Sequence, residues 1–242
     1  MTEFTVQLAG IKIGVAVQFP STREYCAKYL CNGEPDFSVT VTGADIVFER
    51  EKSAREDIVE GKPVQNHSDA YLETLALYRK IVDRMADYDI LLFHGSVVAV
   101  DGIGYLFTAT SGTGKSTHTG YWRELFGQRA VMVNDDKPLL KITDSGVLAC
   151  GTPWDGKHHL STNICVPLKA ICILERGNEN RIRQVRPQEV LGMLFQQSHS
   201  PKNKLKYLEL VDSLTARTEF YRLSCTLDPE AAKVSYEGMS KT

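Results

Sequence analysis

The residues best suited to chemistry lie in one short run, Thr110-Ser111-Gly112-Thr113-Gly114-Lys115-Ser116-Thr117. An apolar stretch ending at Phe107 leads into it, and an amphipathic run with Tyr121, Trp122, Leu125 and Phe126 leads out. Small residues between a strand and a helix let successive backbone N–H groups turn into one concavity, while the helix start adds its own unpaired donors and positive dipole end. In the pattern G-x-x-x-x-G-K-[ST], the lysine is a mobile cation for terminal phosphates and the hydroxyl a ligand for Mg²⁺. Lys115 and Ser116 occupy those places, and Ala109 stands where the first glycine belongs. Gly112 and Gly114 supply the positions where backbone must approach phosphate closely. Ser111, Gly112, Thr113, Gly114, Lys115, Ser116 and Thr117 are therefore the candidate nucleotide-binding residues, with ATP and Mg²⁺ as the expected ligands.

Asp135 and Asp136 end the apolar run AVMVN, about twenty residues past the lysine. Two carboxylates beside a bound triphosphate can divide the work, one holding Mg²⁺ and the other accepting a hydroxyl proton. His94, in LLFHGS, reads either as a structural strand histidine or as a group that reaches the phosphates or tunes an aspartate by hydrogen bonding. The segment Gly151 to His159 collects Thr152, Trp154, Asp155, Lys157, His158 and His159 and reads as a substrate- or phosphate-contacting loop. Its two adjacent histidines lack a third ligand at zinc spacing. His118, in the first turn after the lysine, reads as a local contact.

These groups need elements to position them. Residues 3–19 alternate as two strands broken at Gly10, and TREYCAKYLC follows as a short helix behind Ser21 and Thr22. FSVTVT and ADIVFER read as two strands across Gly43, and 51–67 as a polar connection. Leu72, Leu75, Tyr78, Ile81, Val82 and Met85 give helical spacing over 69–87. The runs ILLFHGSVVAV and IGYLFTAT form a hairpin at Asp101-Gly102, which places His94 on the partner of the strand entering the turn. Beyond the paired Asp lie a hairpin at Asp144-Ser145-Gly146, a strand PLKAICILERG partnered by RIRQV, a helix from Pro187 to Gln197, a helix over 204–216, a strand EFYRLSC and a closing helix behind Asp228.

With 242 residues the chain is long enough for a substantial core, and a net charge of -2 with no basic block argues against nucleic acid or a membrane surface as partner. No apolar run approaches the ~20 residues that span a bilayer. The start shows no cationic stretch followed by a long apolar core. Six cysteines form no C-x-x-C pair or regular framework, so free thiols and a cytoplasmic location are expected.

Taken together, HGSVVAV, GYLFTATSGTGKST, VMVNDDKPLL, GTPWDGKH and PLKAICILERG resemble, in this order, the kinase domain of HPr kinase/phosphorylase. They are similar, more distantly, to the nucleotide-binding core of phosphoenolpyruvate carboxykinase. The resemblance covers roughly residues 90–200. It implies an α/β fold of the P-loop kinase type, a mixed sheet with flanking helices, over 69–242, behind a small α+β section at 1–68. It further implies Lys115 and Ser116 on phosphates and Mg²⁺, Asp135 as catalytic base, Asp136 supporting it or the metal, His94 as the strand histidine, and Asp155 as a further metal ligand. The expected activity is transfer of the γ-phosphoryl of ATP to a serine-like hydroxyl on a protein, peptide or small molecule, with a homo-oligomer compatible with the resemblance. The rival readings are a nucleotide-binding regulatory module without transfer and a carboxykinase-like enzyme.

Overall fold

The computed structural model describes residues 1–110 and 112–241. The chain forms two compact units, Met1–Arg84 and Met85–Thr242. The division therefore falls after the long helix that was expected to open the second section, not before it.

In the first unit, β1 (Thr2–Leu8) and β2 (Ile11–Val17) pair antiparallel around the turn at Ala9-Gly10, as their alternation predicts. α1 (Pro20–Tyr25) starts at a proline whose fixed φ suits a first helical turn, and β3 (Phe37–Thr40) then joins β2 in parallel. The next element departs from expectation. ADIVFER is not a strand but the start of α2 (Gly43–Val59), which also takes in most of the charged segment read as a connection. Thr42 and Asp45 form a capping box, with Asp45 Oδ2 accepting from the Thr42 amide at 2.9 Å. Ile46 and Glu49 then face inward at helical spacing, and pairs such as Lys52–Glu56 at 3.8 Å brace the exposed side. The first unit closes with α3 (Asp69–Met85).

The second unit is a mixed sheet with helices on both faces. Its elements are β4 (Ile90–Leu92), β5 (Ser96–Val100), β6 (Ile103–Thr108), α4 (Lys115–Phe126), β7 (Ala130–Asn134), β8 (Leu139–Thr143), β9 (Gly146–Cys150), β10 (Cys165–Arg176), β11 (Arg181–Val185), α5 (Leu191–Gln197), α6 (Lys204–Arg217), β12 (Glu219–Cys225) and α7 (Glu230–Ser240). The main path runs β4-β8-β9-β10-β6-β5-β7. β10 lies parallel to β6 and β12, and the remaining pairs are antiparallel. The first part of β10 pairs with β9 and its later part with β12, so the sheet branches there.

Strand alternation feeds two cores. Val97, Leu106, Ile171 and Phe220 face α5 and α6 residues such as Leu194 and Leu214, whereas Val98, Phe107, Cys172 and Leu223 face Trp122 of α4 and Met239 of α7. Asp101 and Gly102, at φ 51° and 81°, make the tight β5–β6 hairpin turn that this dipeptide favours.

Three further expectations change. The run around His94 is not one strand, because β4 and β5 pair with different neighbours and Phe93–Gly95 form the break between them. RIRQV (β11) partners β12, not β10. Cys150 and Cys165, expected as free thiols, face each other across β9 and β10 with Cα atoms 4.1 Å apart and are joined by a disulfide. Among the described residues no helix is long and apolar enough to cross a membrane.

Candidate active site

β6 delivers the chain to the glycine turn. Ala109 is fully buried in the core that holds Phe107 and Trp122, so a side chain is useful there where the motif has glycine. Thr113 turns back on Thr110, its hydroxyl donating to the Thr110 carbonyl at 2.8 Å. Gly112 and Gly114 have φ of 78° and 111°, left-handed values that a side chain would strain, and a Cβ on either would point into open space. The turn is thus cut for backbone approach, with room above it. α4 then starts at Lys115, and its first helical hydrogen bond runs from the His118 amide to the Gly114 carbonyl at 2.9 Å. The amides ahead of it belong to the part of a helix that has no intrahelical acceptor. Arg176, at the end of β10, steadies the turn by donating to the Gly112 carbonyl at 2.7 Å.

Facing this turn, the β5–β7 pairing brings the acidic pair into place. Val97 is opposite Asn134, and just beyond, the Gly95 amide donates to the Asp136 carbonyl at 2.9 Å. Ser96 Oγ donates to the Asp135 carbonyl at 2.8 Å and to its Oδ1 at 3.0 Å. The buried Asn134 organises the bend, its Oδ1 accepting from the amides of Asp136 at 2.9 Å and Lys137 at 2.6 Å. The two carboxyls then diverge in environment. Burial raises Asp135 above the usual carboxylate range, against hydrogen bonds from Ser96 and Ser116 and the positive potential of His158. Burial would raise Asp136 as well, but the hydrogen bond from His94 and the nearby charge of Lys137 leave it lowered. His94 Nε2 sits 3.1 Å from Asp136 Oδ1, and Lys137 Nζ 3.4 Å from Oδ2. Burial also pushes the Lys115 ammonium below its usual value, opposed by the field of Asp136.

The loop between β9 and β10 forms the third wall. Gly151 starts it with no room for a side chain, since a Cβ would lie 2.1 Å from the Thr162 carbonyl oxygen. Asn134 Nδ2 donates to both the carbonyl and the hydroxyl of Thr152 at 3.0 Å, tying this loop to the acidic bend. Gly156, Lys157 and His158 then join Lys115, Ser116, Asp135 and Asp136 around a concavity of about 510 Å³.

The structure thus brings Gly112, Thr113, Gly114, Lys115, Ser116, Thr117, Asp135 and Asp136 to one cavity, with His94 bonded to its edge. Ser111 lies outside the described residues. Asp155 is absent from the cavity wall. Its Oδ1 is 3.0 Å from His159 Nδ1, and its Oδ2 accepts from the Ser161 amide and hydroxyl at 3.0 and 2.7 Å, so both oxygens serve the loop itself. Among the described residues no group of three or more His, Cys, Asp or Glu side chains is placed to hold a metal. The Ser116 hydroxyl and the Asp135 carboxylate are hard oxygen donors side by side, which fits an ion such as Mg²⁺ that completes its shell with water and phosphate. Sequence reading missed Ser96, Asn134 and Lys137. Asn134 alone carried a signal, as an asparagine ending a buried strand just before a turn.

A search of the curated proteins finds no match. Among solved structures, the Hpr(Ser) kinase/phosphatase from Coxiella burnetii aligns over 52% of this chain and 93% of its own, at 13% identity and a TM-score of 0.31. Residues 58–233, more than half of the chain, match the family described as SynChlorMet cassette protein ScmC, and the chain belongs to that family.

Proposed function

We propose that the second unit is an ATP-dependent phosphotransferase whose acceptor is a hydroxyl group. The observation that carries this reading is the meeting of the glycine turn, Lys115 and Ser116 with Asp135 and Asp136 around one concavity. The terminal phosphates sit against the amides at the start of α4, with Lys115 on their oxygens. Ser116 and Asp135 hold the divalent cation, which when bound supplies positive charge to the phosphate oxygens. The burial that raises Asp135 leaves a carboxylate poorly solvated by water and so receptive to a cation.

Asp136 then takes the hydroxyl proton, which exchanges the roles that the resemblance implies for the two aspartates. The hydrogen bond from His94 and the charge of Lys137 orient and ionise it. Phosphoryl transfer through a loose transition state needs a well-placed acceptor for that proton more than a strong base. The acceptor oxygen bonds to the γ-phosphorus as the bond to the β-phosphate bridging oxygen breaks, its proton passing to Asp136 and the charge leaving on ADP. Lys157, which also lines the cavity, supplies further positive charge, and His158 beside it a ring nitrogen for hydrogen bonding.

The test is ADP release with and without candidate hydroxyl acceptors. Asp136→Asn is expected to bind Mg·ATP as the wild type does and to lose transfer by roughly 10²- to 10⁴-fold. Lys115→Ala is expected to lose nucleotide binding itself. Transfer by Asp136→Asn at the wild-type rate would end the base assignment. Nucleotide binding with no transfer to any acceptor would favour the regulatory module.

A further inference from the structure

We propose that the nucleoside end of the triphosphate lies in a second cavity, of about 380 Å³, between Tyr121 and Leu227, where the base is gripped by its faces and its edge is not read. This deepens the nucleotide reading above and rests on it. Thr113, Gly114 and Thr117 line both this cavity and the phosphate concavity, whereas Asp135 and Asp136 line only the latter. A phosphate chain with its reacting end at the aspartates and its middle at Lys115 and Ser116 therefore leaves by way of Thr117 into the second cavity. A third cavity, of about 590 Å³, also touches Gly112 and Thr113 but lacks Thr117 and is walled by Glu175 and Met193.

The chemistry of the wall suits a flat, neutral ring. Tyr121 lies one helical turn beyond Thr117, and its hydroxyl donates to the Leu227 carbonyl at 3.0 Å, which fixes both sides of the slot. Leu227 is 78% exposed, a large apolar side chain held at the mouth with nothing covering it. The wall also includes His118, which is buried and bonded to Ser235 Oγ at 3.1 Å. Few side chains on this wall are of a kind that reads a base edge. The Thr226 amide and hydroxyl both face Asn180 Oδ1, at 2.9 and 3.2 Å. Among the described residues lining the cavity, none carries a carboxylate or a carboxamide, and Arg176, the remaining side chain of a kind that pairs with a purine edge, is held on the Gly112 carbonyl of the turn. Arg176, spanning the mouth to the turn, offers its remaining donors to the ribose or the first phosphate.

Isothermal titration of ATP, GTP and inorganic tripolyphosphate, each with Mg²⁺, into the wild type and Leu227→Ser tests this directly. The expected result is ATP and GTP binding within about fivefold of each other, because stacking is tolerant of base identity. Leu227→Ser should weaken both by roughly 5- to 10-fold, the loss of one apolar face, and leave tripolyphosphate unchanged. The proposal is overturned if Leu227→Ser leaves ATP unchanged or weakens tripolyphosphate equally. It is also overturned if GTP and ATP differ by more than about fiftyfold, or if Met193→Ala, in the third cavity, weakens ATP while Leu227→Ser does not. Wild-type protein that binds tripolyphosphate as tightly as ATP would remove the nucleoside cavity and keep the phosphate site. Wild-type protein that binds none of the three would remove the nucleotide reading itself.

Discussion

Glu73 in the first unit and Asp135 in the second are both buried carboxylates, at 0% and 6% exposure, yet their surroundings differ in kind. Glu73 spends both oxygens on its own unit: Oε1 accepts from the Gln18 amide at 2.6 Å, and Oε2 from the Phe19 amide at 3.1 Å and the Thr22 hydroxyl at 2.6 Å. Asp135 accepts from the Ser96 hydroxyl and borders the open concavity, which Ser116 also lines. A carboxylate whose oxygens are all used by the chain is an anchor. One whose burial is incompletely repaid, with an open space in front of it, is available to a ligand. Asp155 belongs with Glu73 by this criterion, although it is only twenty residues from Asp135 (155 − 135) and shares the loop that carries Lys157 and His158.

The largest effect expected from this contrast is at Glu73. Glu73→Ala leaves three donors without their acceptor and should cost about 3 kcal/mol. Urea unfolding followed by far-UV circular dichroism reads it, because both tryptophans, Trp122 and Trp154, lie in the second unit and fluorescence would follow that unit instead. Asp155→Ala should cost about 2 kcal/mol for the same reason, this time visible in tryptophan fluorescence. The concentration of Mg²⁺ needed for half-maximal nucleotide binding should stay as in the wild type. A tenfold rise in that concentration with stability intact would make Asp155 a metal ligand after all and break the contrast.

Asp45 sharpens the anchor side through pH. Burial alone would raise it, but hydrogen bonds from Lys80 and from the Thr42 amide and hydroxyl bring it down to about 2. Its folded value lies below its unfolded value near 3.8, so its stabilisation is complete above about pH 4 and is lost as pH falls toward 2. The loss is about 2 kcal/mol at most, and Asp45→Asn should flatten that part of the stability curve recorded by circular dichroism.

How far this contrast could be read from the chain depends on the range of the forces involved. The glycine turn was legible because positive φ at Gly112 and Gly114 and a lysine opening a helix are local requirements, written in adjacent residues. So was the hairpin at Asp101-Gly102. ADIVFER reads as a strand because its apolar residues suit either period, and the deciding signal, the Thr42–Asp45 box, is a polar pair that straddles the start of the run. The break at His94 depends on β4 and β5 choosing different partners, and the Cys150–Cys165 bond on the register of β9 against β10; both are set by packing across the sheet. Only the resemblance implies Asp155 as a metal ligand. Its actual partners, His159 and Ser161, follow within six residues, but no pattern in that stretch distinguishes a loop that folds back on its own carboxylate from one that presents it.

The smallest effect on stability, and the one of opposite sign, is expected at Asp135. Burial raises its pKa, so its ionised form opposes folding, and that penalty is relieved as pH falls through the raised value. Asp135→Asn keeps an oxygen for Ser96 and removes the charge. Stability near neutral pH should therefore hold or rise by up to about 1 kcal/mol, while phosphoryl transfer falls by roughly 10²-fold or more. Chemical denaturation and acceptor-dependent ADP release on the same preparation measure the two together. Should Asp135→Asn lose stability as Asp155→Ala does, Asp135 would be one more anchor and the site would have to be built around Asp136 alone. A gain in stability joined to a loss of turnover is what separates a carboxylate kept for a ligand from one kept for the fold.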